Sequence, residues 1–231
     1  MDRLLRFSGF PEPFTVADKS FYRRWQRDMV DTLTRDDIRD LTRILAVEHV
    51  ATILQLLPER IGSPLSLNAL REDVETSYTA VKNAVRAMEL TYAIFALPPY
   101  SRKIARAVKK ERKVYFYDWG RCLDPAKLFE NYVAVELKSM IDLWHDAGLA
   151  EFDLMYVRTK DGKESDFLVT KNREPWALFE AKLQDGPIPR HHAVQASALG
   201  DIPFIQIVRE DGIRKNEGKD CYRLSASQFF A

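Results

Sequence analysis

The chain has 231 residues, with 35 Lys+Arg against 34 Asp+Glu for a formal net charge of +1, and 46% of its residues are hydrophobic. That apolar content supports a packed core and excludes wholesale disorder, while the charge balance excludes a uniformly basic nucleic-acid binder and leaves room for a local basic stripe. Two cysteines, Cys122 and Cys221, and four histidines are too few for a disulfide scaffold, a Cys-based zinc site or a His-rich metal site, and no apolar run reaches the roughly 18 residues that would span a bilayer, so a soluble, cytoplasmic chain with no membrane partner is expected.

Residues 1–37 read as short helical pieces around Phe10-Pro11-Glu12-Pro13, where each proline fixes φ and biases its predecessor away from helix. Ser20 is the expected N-cap of a helix carrying Phe21, Trp25 and Met29, and Thr34 the cap of the next. This opening is too small to bury its aromatics alone. From Asp37 to Leu57 the apolar residues Ile38, Leu41, Leu45, Val50, Ile53, Leu54 and Leu57 keep helical spacing until Pro58 and Gly62. Ser66 opens a short helix through Leu67, Leu70 and Val74. Thr76-Ser77 opens another, with Val81, Val85 and Met88 on one face.

Two extended runs follow, Thr91–Leu97 and Lys113–Tyr117. Three helices and then a two-stranded hairpin is the plan of a winged helix over residues 38–118. The outer face of its third helix carries Tyr78, Thr79, Lys82, Asn83 and Arg86, residue types that contact phosphates and base edges. The segment Ser101–Lys113 holds Arg102, Lys103, Arg106, Lys109, Lys110, Arg112 and Lys113, opposed only by Glu111. At the tip of a wing this run would meet a phosphate backbone with strong salt dependence. The plainer alternatives are a solvated basic loop or a winged helix used for protein contacts.

The third region opens at Asp124-Pro125. Phe129, Val133, Leu137, Met140, Ile141 and Trp144 form one stripe of a long helix ended by Gly148. Phe152–Thr159 and Ser165–Thr170 read as strands joined by Lys160-Asp161-Gly162-Lys163, since Asp-Gly between two β-rich runs signals a hairpin. Trp176–Ala181 is a third strand, His191–Leu199 a helix, Pro203–Val208 a buried strand and Cys221–Leu224 an edge strand. The predicted fold is α/β (α+β): a winged helix, then an αβββαβ core.

Chemistry concentrates at Asp166 and at Glu180-Ala181-Lys182. Alternation along a strand points Glu180 and Lys182 the same way, and a neighbouring strand brings Asp166 to them. Two carboxylates and a lysine suit Mg²⁺- or Mn²⁺-dependent phosphodiester hydrolysis. The acids hold a hard cation, the cation polarises phosphate and activates water, and the lysine stabilises developing charge. Glu130 and Glu136 flank the helical stripe and either can supply a third acid; Gln195 is a weaker candidate. The bland alternative for an E-x-K pair is a solvated strand face. His191-His192 reads as a helix start, Asp118-Trp119-Gly120 as a turn, and both cysteines as ordinary thiols.

The chain resembles the C-terminal half of a group of AAA+ ATPases that end in a domain of unknown function with a restriction-endonuclease-like, PD-(D/E)XK core. The matching pieces run in order: Phe10–Pro13, DIRDL at Asp37–Leu41, LPPYSR at Leu97–Arg102, YFYDWG at Tyr115–Gly120, FEN at Phe129–Asn131, RTKDGKESDF at Arg158–Phe167 and FEAK at Phe179–Lys182. The resemblance implies that residues 1–37 correspond to the end of an ATPase lid, 38–118 to the winged helix and 119–231 to the nuclease-like domain. It also implies that Glu130, Asp166, Glu180 and Lys182 hold the catalytic positions, with Glu130, Asp166 and Glu180 as metal ligands. No G-x-x-x-x-G-K-[ST] occurs, so the chain carries no P-loop of its own. Trp119 and the short connection at 121–124 depart from the family pattern. The implied partners are DNA and a P-loop ATPase or other protein; the rival reading is a non-catalytic DNA- or protein-binding regulatory module.

Overall fold

A computed structural model describes residues 1–33, 47–101, 111–159 and 161–231. The chain divides into two compact units, Met1–Ala96 with Val114–Asp124, and Leu97–Lys113 with Pro125–Ala231. This differs from the expected division at 37/38 and 118/119, and the contacts of the helical opening explain why. Helices α1 (Asp2–Phe7) and α3 (Lys19–Thr32) meet the turn 118–121, and α2 (Pro11–Val16) packs on both helices. The buried Asp118 carboxylate accepts from the Tyr22 hydroxyl and from Gln26 Nε2, and Trp119 Nε1 donates to Leu4 O at 3.2 Å. Of the opening's aromatics, Phe7 and Tyr22 are buried, and the Tyr22 hydroxyl lies against Asp118 and Gly120. The cap of α3 is Asp18, accepting from Phe21 N at 2.7 Å; Ser20 instead donates its hydroxyl to Asp18. A carboxylate both satisfies an orphan N–H and complements the positive helix end, so it displaces the nearby serine.

In the rest of this unit α4 (Val47–Leu56) and α5 (Leu67–Asp73) pack on α6 (Tyr78–Leu90). Ser66 and Ser77 cap α5 and α6 as expected. Val81, Ala84, Val85, Ala87 and Met88 form the buried face of α6, while Tyr78, Thr79, Lys82, Asn83 and Arg86 are exposed. β1 (Ile94–Leu97) and β2 (Lys113–Phe116) form a two-stranded sheet. Thr34, the stretch 37–46 and the basic residues Arg102, Lys103, Arg106, Lys109 and Lys110 lie outside the described residues.

The second unit is built on a six-stranded mixed sheet, flanked by helices on both faces. Its elements are α7 (Pro125–Asp146), β3 (Phe152–Arg158), β4 (Glu164–Lys171), β5 (Glu174–Lys182), α8 (Arg190–Ala198), β6 (Phe204–Val208), β7 (Arg214–Gly218), β8 (Cys221–Ser225) and α9 (Ala226–Phe229). The strand order is β3-β4-β5-β6-β8-β7. β3, β4 and β5 are antiparallel neighbours, and β6 joins β5 in parallel through α8. β8 lies parallel to β6 and is covered by antiparallel β7, so it is not the edge strand the sequence suggested. All five residues of β7, RKNEG, are exposed; with no buried face, it leaves no apolar alternation to detect.

α7 packs on β3 and β5. Leu137, Met140 and Trp144 share an apolar cavity of 430 Å³ with Ala177, Phe179 and Phe229. With α8, Val157, Leu168, Leu178, Ala196 and Phe204 form one buried cluster. The segment after β5 is fastened to the far strands: Asp185 pairs with Lys215 Nζ and Arg223 Nη1, both at 2.5 Å, and Gly186 O accepts from Gln206 Nε2 and Arg223 Nη1, both at 3.1 Å. Among the described residues, no helix is long and apolar enough to cross a membrane.

Candidate active site

The antiparallel register of β4 and β5 sets Phe167 opposite Phe179, and so brings Asp166 opposite Glu180. Each carboxylate takes a backbone N–H from the other strand. Asp166 N donates to Glu180 Oε2 at 3.2 Å, and Ala181 N donates to Asp166 Oδ2 at 3.0 Å. Lys182 Nζ donates to Glu180 Oε1 at 2.6 Å, as the two-residue period requires. Glu180 is buried, whereas the Lys182 side chain is 45% exposed. Burial, reinforced by the charge on Asp166, pushes the Glu180 carboxyl up to about 8 against the pull of Lys182. Two carboxylates drawn together in this way favour a proton or a cation between them.

The remaining acids converge on Lys113, whose side chain is wholly buried. Its Nζ lies 2.6 Å from Glu164 Oε1 and 3.5 Å from both Glu130 Oε1 and Asp166 Oδ1. The Tyr156 ring centroid is 5.5 Å away. Burial works against the charged amine, but Asp166, Glu130 and Glu164 together outweigh it and hold its pKa above the ordinary lysine value. Lys113 therefore does not belong to the basic phosphate-contacting set in which the sequence placed it. A fully buried ammonium engaged by three acids has no face to offer a nucleic acid. Glu164 was also missed, although E-x-D at 164–166 carries the same two-residue spacing that revealed Glu180 and Lys182. Glu136 is not brought to this cluster; burial alone raises its carboxyl.

Behind the carboxylates lies a second polar layer. Ser165 Oγ donates to Gln195 Oε1 at 2.6 Å and sits 2.7 Å from His192 Nδ1, and Gln195 Nε2 donates to Lys163 O at 3.2 Å. The single Ser165 hydroxyl proton goes to Gln195, so this network assigns the imidazole proton to His192 Nδ1. That leaves Nε2 as a lone pair 3.8 Å from Glu180 Oε1. Burial, and then the neighbouring His191, depress the His192 pKa to about 4. His192 is thus a neutral buried anchor, stacked on Phe204 at 4.8 Å, rather than merely a helix start. Gln195 serves this layer and does not touch the acids.

Among the described residues, no group of three or more His, Cys, Asp or Glu forms a ready metal cage. The Asp166–Glu180 pair nevertheless has the donor chemistry of a Mg²⁺ or Mn²⁺ site, because such ions are often held by one or two carboxylates, with waters and substrate phosphate completing the shell. Glu130 is engaged by Lys113. Of the nucleic-acid candidates, Lys82, Asn83, Arg86 and Arg112 are exposed, and Arg86 Nη1 lies 3.5 Å from Glu89 Oε2.

A family model described as a domain of unknown function (DUF8612) matches residues 1–128, more than half of the chain. The chain belongs to the DUF8612 family. The matched stretch contains Lys113 and stops short of Glu130, so Asp166, Glu180 and Lys182 lie beyond it. No curated protein and no solved structure matches the chain.

Proposed function

We propose that this DUF8612 protein is a DNA-binding, nuclease-like protein whose second unit hydrolyses phosphodiesters with Mg²⁺ or Mn²⁺. The observation that carries this reading is the cross-strand clasp of Asp166 and Glu180 beside the half-exposed Lys182. It is supported by the element order α7-β3-β4-β5-α8-β6, with β6 parallel to β5, which is the order a PD-(D/E)XK core requires. Asp166 and Glu180 would hold the cation, which when bound polarises phosphate and acidifies a water. Lys182 would orient that water or stabilise the negative charge that grows on phosphate. Its partial exposure suits this role, because a group that meets substrate must reach solvent. The exposed Lys82, Asn83 and Arg86 on α6, with the basic run that follows β1 in sequence, support DNA as the ligand of the first unit. The resemblance to AAA+ C-terminal halves supports a P-loop ATPase as a partner supplied by another chain.

The test is cleavage of single-stranded, double-stranded and branched DNA with Mg²⁺ or Mn²⁺. The expected result is turnover that falls by at least a hundredfold in Asp166→Ala and Lys182→Ala, while the far-ultraviolet dichroism of both variants stays native. Salt-sensitive DNA binding with no turnover on any of these substrates would overturn the catalytic reading and leave a binding module.

A further inference from the structure

We propose that the ammonium of Lys113 occupies the place of a second divalent cation, so that the site takes a single metal ion, at Asp166 and Glu180. This rests on the metal-dependent reading above.

Three carboxylates from two separate elements, Glu130 on α7 and Glu164 and Asp166 on β4, surround one point. Lys113 Nζ sits at that point, at 3.5, 2.6 and 3.5 Å. Charged side chains are almost never fully buried without partners, and one carboxylate would suffice to neutralise a lysine. Three acids around a single amine is the donor set of a cation site filled by a side chain.

Asp166 is the shared member. Its Oδ1 faces Lys113, while Oδ2 lies on the Glu180 side, accepting from Ala181 N. Two-metal hydrolases place their ions about 3.5–4 Å apart, and one carboxylate reaching two cations with its two oxygens is the geometry such spacing demands. Lys113 thus holds the far oxygen of the acid that a second ion would need.

The substitution has a chemical consequence. An ammonium supplies positive charge, but it has no open coordination position and carries no acidified water. Water activation is therefore confined to the single ion, and Lys113 is a positioning residue. It holds Glu130, Glu164 and Asp166 on one point, as a metal would, without dissociating.

The experiment counts ions in the full chain. Mn²⁺ binding to wild type and to Lys113→Met is followed by electron paramagnetic resonance and calorimetry. Tb³⁺ binding is followed by tyrosine-sensitised luminescence, because the Tyr156 ring lies 5.5 Å from the ammonium. Wild type is expected to bind one Mn²⁺. Folded Lys113→Met is expected to bind two, with Tb³⁺ luminescence raised several-fold and the gain lost in Lys113→Met/Tyr156→Phe. If Lys113→Met does not fold, Lys113→Met/Glu164→Gln removes one of the charges left unpaired and is expected to gain the second ion more weakly. Wild type binding two ions, or a folded variant still binding one, overturns the inference and leaves the metal-dependent reading intact. Wild type binding none overturns both.

Discussion

Glu180 makes the stability of the metal-free protein fall as pH rises. Its carboxyl is raised from 4.5 to about 8 by burial and by Asp166. Between those values the folded state holds a proton that the unfolded chain has released, so unfolding loses that proton and becomes easier with increasing pH. The penalty is absent below about pH 4.5, grows through neutrality and is complete above about pH 8. At 1.36 kcal/mol per pKa unit it reaches roughly 4–5 kcal/mol. His192 works in the opposite sense over a more acidic range. Burial has lowered it from 6.5 to about 4, so stability falls as pH drops from 6.5 towards 4. The two slopes overlap in wild type, and Glu180→Gln separates them. The amide keeps the shape and an acceptor for Asp166 N–H while removing the ionisation. Urea unfolding in EDTA at pH 5, 7 and 9 is the assay. The variant should be near wild type at pH 5 and more stable by about 3 kcal/mol or more at pH 9, with the remaining pH dependence dominated by the acid-side loss from His192. Parallel curves for wild type and variant between pH 5 and 9 would refute the reasoning, as they would mean that Glu180 ionises alike in both states.

Gly120 has no room for a methyl group, since a Cβ there would overlap the Tyr22 hydroxyl. Gly120→Ala should push Tyr22 off Asp118 and cost about 3 kcal/mol from overpacking and the lost charged hydrogen bond, read as a lower urea midpoint; an unchanged midpoint would contradict the packing. On α6, Lys82→Ala/Arg86→Ala should weaken DNA binding and reduce the steepness of its logarithmic salt dependence by about two if both side chains meet phosphate. Fluorescence anisotropy across a salt series measures this, and an unaltered slope would exclude this face of α6 from phosphate contact.

The elements legible in the sequence are those whose information is local. Ser66 and Ser77 announce their helices because an N-cap needs only its own first turn. Asp166, Glu180 and Lys182 were singled out because strand alternation puts Glu180 and Lys182 on one side and a neighbouring strand carries Asp166. Lys113 was not. It ends a run of basic residues, and nothing within five residues on either side shows that its partners come from positions 130, 164 and 166. His192 failed to register for the same reason, its value resting on Ser165 and Phe204. Ser20 was read as the cap of α3, and the bond from Phe21 N shows that Asp18 holds that place. β7 is invisible because a wholly polar strand at the rim of a sheet takes its shape from its neighbour.

The ties between Asp185-Gly186 and the strands after β6 give the carboxy-terminal stretch a purpose beyond completing a layer. Lys182 stands three residues before Asp185, on the chain leaving β5. Lys215 and Arg223 act there as guy-ropes, holding that exit from the opposite border of the sheet. A protein shortened after β6 would keep all four acids and both lysines of the cluster while losing the moorings that limit how far Lys182 can stray.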